Sequence, residues 1–336
     1  MRFPIVIPTS LRIAIAFLWL AAAVAAWLVL PQNIAPGVRI PFLIAACAEL
    51  FFFVSMGWPS FRESMVESFP PQALAFLLCA SAAIPYGIYM LGTGVGTLAS
   101  VAALTAIVVT GAFWYIALPW RGGVGGALVD AGFLALIGMV MLGDVFGSIY
   151  PDAAPKLQAE FLGRLMWIRL GISASLLLRK MPGTGFGFWP TAREWRVGVL
   201  GFLLLMPILL ALGWGLDFFS IRELTRPAWQ MALITVGSFL GFLWVVSLSE
   251  EFFLRGLLQQ WVSDWTRSNW AGLAITALVS GSVHLPFGGQ FPNWKFAALA
   301  TVAHAGYGFA FQKGKGIRAA MVTHALVVTV WRVFLR

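Results

Sequence analysis

Charge is what this chain has least of. Of its 336 residues only 10% are Asp, Glu, Lys or Arg, whereas 60% are hydrophobic, and the mean hydropathy is +0.88. A soluble domain carries about a quarter charged residues, so this scarcity excludes a disordered chain and a water-soluble globule. Acid is scarcer than base: 13 Asp and Glu against 22 Lys and Arg give a net charge of +9. In a soluble protein that excess would suggest nucleic acid; in a chain this apolar it marks cytoplasmic loops, and no nucleic-acid partner is expected. Cysteine is nearly absent, and Cys47 and Cys79 lie far apart in apolar runs. That excludes a disulfide framework or a cysteine metal site and leaves buried packing. Internal repeats and low-complexity tracts are also lacking.

What is present is long apolar runs. With ~20 apolar residues needed per crossing, the chain holds about eleven hydrophobic spans. The expectation is an all-α polytopic membrane protein, a helical bundle with an intramembrane catalytic cavity. The expected spans are Leu11–Leu30, Ile40–Trp58, Gln72–Leu91, Thr97–Trp120, Ala127–Ile149, Glu160–Leu178, Arg196–Leu216, Trp229–Trp261, Asn269–Leu285, Asn293–Gln312 and Gly316–Phe334. The first resembles a signal peptide in its basic flank, but its apolar run continues through Trp27 to Leu30, which favours an uncleaved helix. Placing the N-terminus inside puts most Lys and Arg on the inner side, including Arg62, Arg121, Arg179, Lys180, Arg193, Arg196, Lys313, Lys315 and Arg318. The expected setting is a bacterial inner membrane crossed many times, with a cytoplasmic N-terminus. The stretch Arg179–Arg196, rich in Gly, Pro and basic residues, divides an N-terminal region of about six helices (1–195), of unknown role, from a C-terminal catalytic block (196–336).

An ionisable group inside a bilayer costs at least ~2.5 kcal/mol, so each such residue needs a partner or a purpose. In the N-terminal region these are Glu49, Asp130, Asp144, Arg164 and Arg169. Asp144, in Met-Leu-Gly-Asp, faintly resembles the GxGD of aspartyl intramembrane proteases, but the first glycine is missing and no partner motif exists. Pairing with Arg164 or Arg169 is the expectation. The eighth span is different, because it carries Glu250, Glu251 and Arg255 after a largely apolar run. Glu251 and Arg255 are i,i+4 with the acid N-terminal, the favourable order for an ion pair. Glu250 is turned ~100° away and lacks that counterion. Loss of hydration makes such a carboxylate a stronger proton acceptor, suited to general-base work.

Histidine is the other scarcity. The chain has three, all from residue 284 onward: His284, His304 and His324, one in each of the last three spans. Counting ~1.5 Å per residue from the adjoining turns places Glu250 ~19 Å, His284 ~23 Å, His304 ~14 Å and His324 ~12 Å deep. These depths are consistent with one shared site within the membrane. A lone intramembrane histidine is often only a satisfied structural residue; three, one span after a glutamate pair, point to chemistry. A carboxylate and an imidazole together orient and deprotonate water, and a second imidazole stabilises the resulting oxyanion. That reaction is peptide hydrolysis with no cofactor and no metal. Zinc held by two His and one Glu is the alternative, but HExxH is absent. A serine mechanism through Ser280 or Ser282 lacks the GxSG of rhomboid proteases.

Glu250-Glu251-x-x-x-Arg255, a histidine in the next span, and His324 within Ala-Ala-Met-Val-Thr-His-Ala together resemble the CPBP group of CAAX proteases and bacteriocin-processing enzymes. The run Gly306-Tyr-Gly-Phe-Ala-Phe before a basic turn adds to the likeness, which covers Trp229 to Arg336. The resemblance implies a metal-independent, glutamate-type intramembrane endopeptidase acting on a membrane-associated protein or peptide. Carried over, Glu250 is the base acting on water and His284 its partner. Glu251 with Arg255 holds the helix geometry, and His324 helps form the oxyanion site. Two positions depart from the group's pattern. Ser280 stands where FxxxH has phenylalanine, and Val328 stands where a polar residue, often Asn, follows the last histidine by four. A missing oxyanion donor costs ~2.7–4 kcal/mol in the transition state, and His304, outside the main motifs, is the accessory residue expected to supply it, with Thr329 as the other candidate. The competing readings are a catalytically impaired scaffold or immunity-type protein of the same fold, motivated by Val328, and a proton-coupled transporter, for which no inverted repeat or paired broken helices are visible.

Overall fold

The computed structural model describes residues 34–289 and 291–335, together with 9, 10, 12, 13 and 17. The expected first span, Leu11–Leu30, falls largely outside the described residues. The described chain is all-α: 78% helical, with twelve helices and no strands. They are α1 Pro36–Ser55, α2 Pro59–Ser68, α3 Pro71–Thr93, α4 Leu98–Ala117, α5 Gly123–Leu142, α6 Phe146–Ile149, α7 Glu160–Leu178, α8 Ala192–Gly215, α9 Ala228–Thr266, α10 Asn269–Val283, α11 Trp294–Gly314 and α12 Ile317–Phe334. Among the described residues eight helices are long and apolar enough to cross a membrane. This is an integral membrane protein. Its outward side chains, such as Leu91, Leu98, Leu128, Leu204 and Leu233, are exposed and apolar, as lipid requires of a helix whose backbone is already satisfied internally.

Later expected spans all coincide with helices, with shifted ends. Two differences have a clear cause. The span Ala127–Ile149 breaks at Gly143, and Asp144 takes a left-handed backbone (φ 50°), so α5 and the single turn α6 are separate. The amphipathic helix α2 was not expected, since Pro59-Ser-Phe-Arg-Glu-Ser carries too much polarity to read as a span. The helices α10 and α11 are not among the eight. The first has only 15 residues. The second carries Lys295, His304, Gln312 and Lys313, which lower its hydropathy, and packs along α8, α10 and α12.

The chain forms two compact units, Met1–Met181 and Pro182–Arg336. In the first, the intramembrane charges are paired. Arg169 on α7 forms an ion pair with Glu49 of α1 and donates to Ser81 Oγ of α3 at 2.8 Å; both charged side chains are buried. Asp130 accepts from Arg179 at 2.6 Å, and Asp144 pairs with Arg164 at 2.9 Å. Cys47 and Cys79 are half-buried free thiols.

In the second unit, helix starts are fixed by side chains that accept the orphan backbone donors of the first turn. Thr191 and Glu194 form a reciprocal capping box on α8. Ser268 accepts from Ala271 N at 3.2 Å on α10, and Asn293 from Phe296 N at 3.0 Å on α11. The Gly- and Pro-rich stretch before α8 is packed rather than free. Thr184 carbonyl accepts from Ile317 N at 3.3 Å at the start of α12, Trp244 donates to Phe188 carbonyl at 3.0 Å, and the Phe186 ring meets Phe252 edge-on. The core of this unit is Leu205, Met206 and Leu209 of α8 against Leu299, Ala303 and Tyr307 of α11 and Ala320 and Val327 of α12.

The helix α10 lies along α11 with glycine at the contact. A methyl group on Gly281 would run into Thr301 Oγ1 and come to 2.8 Å from Ala297 carbonyl. Gly281→Ala is therefore expected to destabilise the protein by about 1–3 kcal/mol, the usual cost of overpacking. Adding Thr301→Ala should restore only part of that, because the backbone carbonyl stays. Thermal unfolding in detergent of the single and double variants checks it; an unchanged melting temperature in Gly281→Ala would refute the close approach.

Candidate active site

The local geometry begins with α9. It is not a regular α-helix throughout: Phe242–Ser247 and Phe252–Gln259 are π-helical, and between them Leu248–Glu251 make a single α turn. Widened turns of this kind gather at functional sites, since they rotate side chains off the regular α pattern. Here they flank the two adjacent glutamates. Glu251 has a side chain with 0% exposure, while the neighbouring Glu250 side chain is 45% exposed.

The buried carboxylate is held from two sides. Arg255 Nε lies 3.1 Å from Glu251 Oε2, with both side chains fully buried. His324 Nδ1, from α12, lies 2.8 Å from Glu251 Oε1. Arg255 in turn reaches α11: its Nη2 donates to His304 carbonyl at 2.6 Å and sits 3.0 Å from His304 Nδ1. Its guanidinium also lies over the Tyr307 ring, 5.6 Å from the centroid. One buried ion pair therefore ties α9 to both α11 and α12. Glu250 takes no part in that lock, and its Oε2 lies 3.8 Å from the other ring nitrogen of His324.

The three histidines lie in a row. Ring centroids are 5.7 Å apart for His284 and His304, and 5.8 Å for His304 and His324. His284 follows the last residue of α10, and its Nδ1 is 2.8 Å from Ser280 carbonyl, one turn back. Phe296 packs edge-on against that ring at 4.7 Å. His304 and His324 are each 4% exposed, whereas His284 is half-exposed. Every residue singled out in the C-terminal block thus enters one connected cluster: Glu250, Glu251, Arg255, His284, His304 and His324. Asp144 stays with Arg164 in the first unit.

Residues 227–330 match the family model described as type II CAAX prenyl endopeptidase Rce1-like. This segment is similar to the Rce1-like family. No curated protein and no solved structure matches the chain. The Rce1-like segment contains all six cluster residues and agrees with the CPBP resemblance drawn from the motifs. The likeness supports an intramembrane protease at family level.

Within the Rce1-like segment, Val328 lies half-buried one turn beyond His324, an aliphatic side chain with no hydrogen to donate. Thr329 does not stand in for it, because its hydroxyl donates to Ala325 carbonyl at 2.6 Å within its own helix. The hydroxyls of Ser280 and Ser282 are committed in the same way, to Thr276 and Leu278 carbonyls at 2.7 and 2.8 Å. Sequence reasoning gave Tyr307 no role, yet its ring stacks on His324 at 4.5 Å with 12° between planes. Together with Glu251, whose carboxylate faces Nδ1 at 2.8 Å, it fixes how the imidazole lies. The available signal was its place three residues after His304, on the same helix face.

Proposed function

We propose that the protein is a glutamate-type intramembrane endopeptidase that hydrolyses a peptide bond of a membrane-associated protein or peptide, with no cofactor. The observation that carries this reading is the unequal treatment of two adjacent carboxylates: Glu251 is sealed against Arg255 and His324, while Glu250 is left half-exposed beside them. A sealed carboxylate positions its neighbours, and an accessible one handles water.

In this reading Glu250, with His284 as its partner, removes a proton from water. The hydroxide forms a bond to the carbonyl carbon, and the carbonyl electron pair moves onto oxygen to give a tetrahedral oxyanion. The C–N bond then breaks, and the proton held by Glu250 passes to the departing amine, so no atom or electron is left over. Glu251 and Arg255 keep Glu250 and the rings in register, and His324, when it carries a proton at Nε2, helps hold the oxyanion. The family description supports peptide substrates, and the larger share of Lys and Arg on the side taken as inner is the ground for a cytoplasmic N-terminus. Val328 favours a second reading, a silent scaffold of the same fold.

Purified protein incubated with a library of prenylated and unprenylated peptides, followed by mass spectrometry, is expected to give discrete cleavage products that persist in a strong chelator. Products that vanish with chelator and return with zinc would overturn the metal-free mechanism. Absence of any cleavage would favour the scaffold.

A further inference from the structure

The ring nitrogens of the three histidines are assigned by their partners, because those partners differ in what they are able to donate. A guanidinium has five N–H donors and no acceptor. Its Nη2, 3.0 Å from His304 Nδ1, requires a lone pair on that nitrogen, so neutral His304 carries its proton on Nε2. The other two rings are the reverse. His324 Nδ1 faces the Glu251 carboxylate at 2.8 Å, and His284 Nδ1 faces Ser280 carbonyl at 2.8 Å. Both partners are acceptors, so both rings hold a proton on Nδ1 and present a bare Nε2 when neutral.

The geometry points to His304 as a second oxyanion donor of the site beside His324, its tautomer set by Arg255 as a positioning residue. His304 lies between the other two imidazoles, 5.7 and 5.8 Å away by ring centroid. Its Nε2 has no partner among the described residues. It is the one ring of the three that offers an N–H at Nε2 without first being protonated, and Val328 and Thr329 leave that donor position unfilled. The ion pair in α9 therefore does more than hold a helix. Through its carboxylate it sets His324 as an acceptor, and through its guanidinium it sets His304 as a donor. This inference rests on the endopeptidase reading for the substrate, while the tautomers stand on geometry alone.

Two measurements test it. In protein labelled with 15N at histidine, long-range proton–nitrogen spectra distinguish the tautomers, and assignment through His284→Asn and His324→Asn leaves His304 by difference with no change at that site. The expected result is a proton on Nε2 of His304 and on Nδ1 of the other two; a proton on Nδ1 of His304 overturns the assignment. In peptide cleavage, His304→Leu is expected to lower kcat by about 10²–10³-fold, as loss of one oxyanion donor does, with KM little changed. His304→Gln, whose amide nitrogen overlays Nε2, should recover most of that loss. Cleavage by the wild type with equal loss in Leu and Gln, or with no loss in Leu, overturns the donor role alone. Failure of the wild type to cleave overturns the endopeptidase reading and the donor role together.

Discussion

Arg255→Met is expected to cost the fold about 3–5 kcal/mol, the usual penalty for removing one partner of a buried ion pair. The cost arises from what remains. Glu251 has no exposure, so its carboxylate would keep only His324 as a partner and could not regain water. Arg255 also supplies the α9–α11 link through His304 carbonyl. The diagnostic comparison is the double variant Glu251→Leu/Arg255→Met, which removes both charges. Burying a charge pair is often no more favourable than packing hydrophobic side chains of similar volume, so the double variant should regain most of the lost stability. Cleavage should stay lost in both, because His304 loses the guanidinium that orients it and, in the double variant, His324 also loses the Glu251 carboxylate. Thermal unfolding in detergent separates the cases: a double variant no more stable than Arg255→Met would mean that the pair contributes packing rather than charge.

Glu250→Gln should do the opposite. It is expected to reduce peptide cleavage by about 10²–10⁴-fold, the range for losing a general base, while leaving the melting temperature nearly unchanged. The amide keeps the shape of the carboxylate, and the side chain is 45% exposed with His324 Nε2 only as near as 3.8 Å, so little native interaction is removed. The comparison with Glu251→Gln sharpens this, since the same atom replacement at a side chain with 0% exposure takes a charge from Arg255 and should destabilise strongly. Full cleavage by Glu250→Gln, measured on whichever peptide the wild type cuts, would end the assignment of Glu250 as base. Adjacent identical residues would then differ in burial but not in chemistry.

Much of this was legible in the chain, for physical reasons that are easy to trace. Lipid forces apolar runs of fixed length, so most of the long apolar helices could be placed approximately, whereas the short polar α2 and the break between α5 and α6 could not. Ionisable residues are costly in such runs, so Glu250, Glu251, Arg255 and the histidines stood out by their presence. The Glu251–Arg255 pair follows from spacing along one helix. Contacts between helices did not follow. The bond from Arg255 to His304 joins residues 49 apart, and that from His324 to Glu251 joins residues 73 apart; no local pattern specifies either. Tyr307 is apolar enough to pass as part of a span, so its stacking on His324 was hidden. Asp144 was misplaced inside a helix because Leu142 and Val145 on either side are apolar, whereas the break is a backbone event at Gly143 and Asp144.

The widened turns of α9 bear on how this helix responds to changes of length. A π turn holds one residue more than the α turn it replaces. On either side of the short stretch Leu248–Glu251 the helix therefore carries an extra residue. Deleting one residue from Phe252–Gln259 lets that turn close to α geometry, and because the π turn had absorbed the extra residue, the helix beyond it keeps nearly its phase relative to the glutamates. Arg255 sits inside that turn and Gln259 at its end. The spacing between acid and base in α9 is thus written in residue number as well as residue type: a gap before Arg255 would change the i,i+4 spacing of the pair, whereas a gap after it would leave the pair as it is.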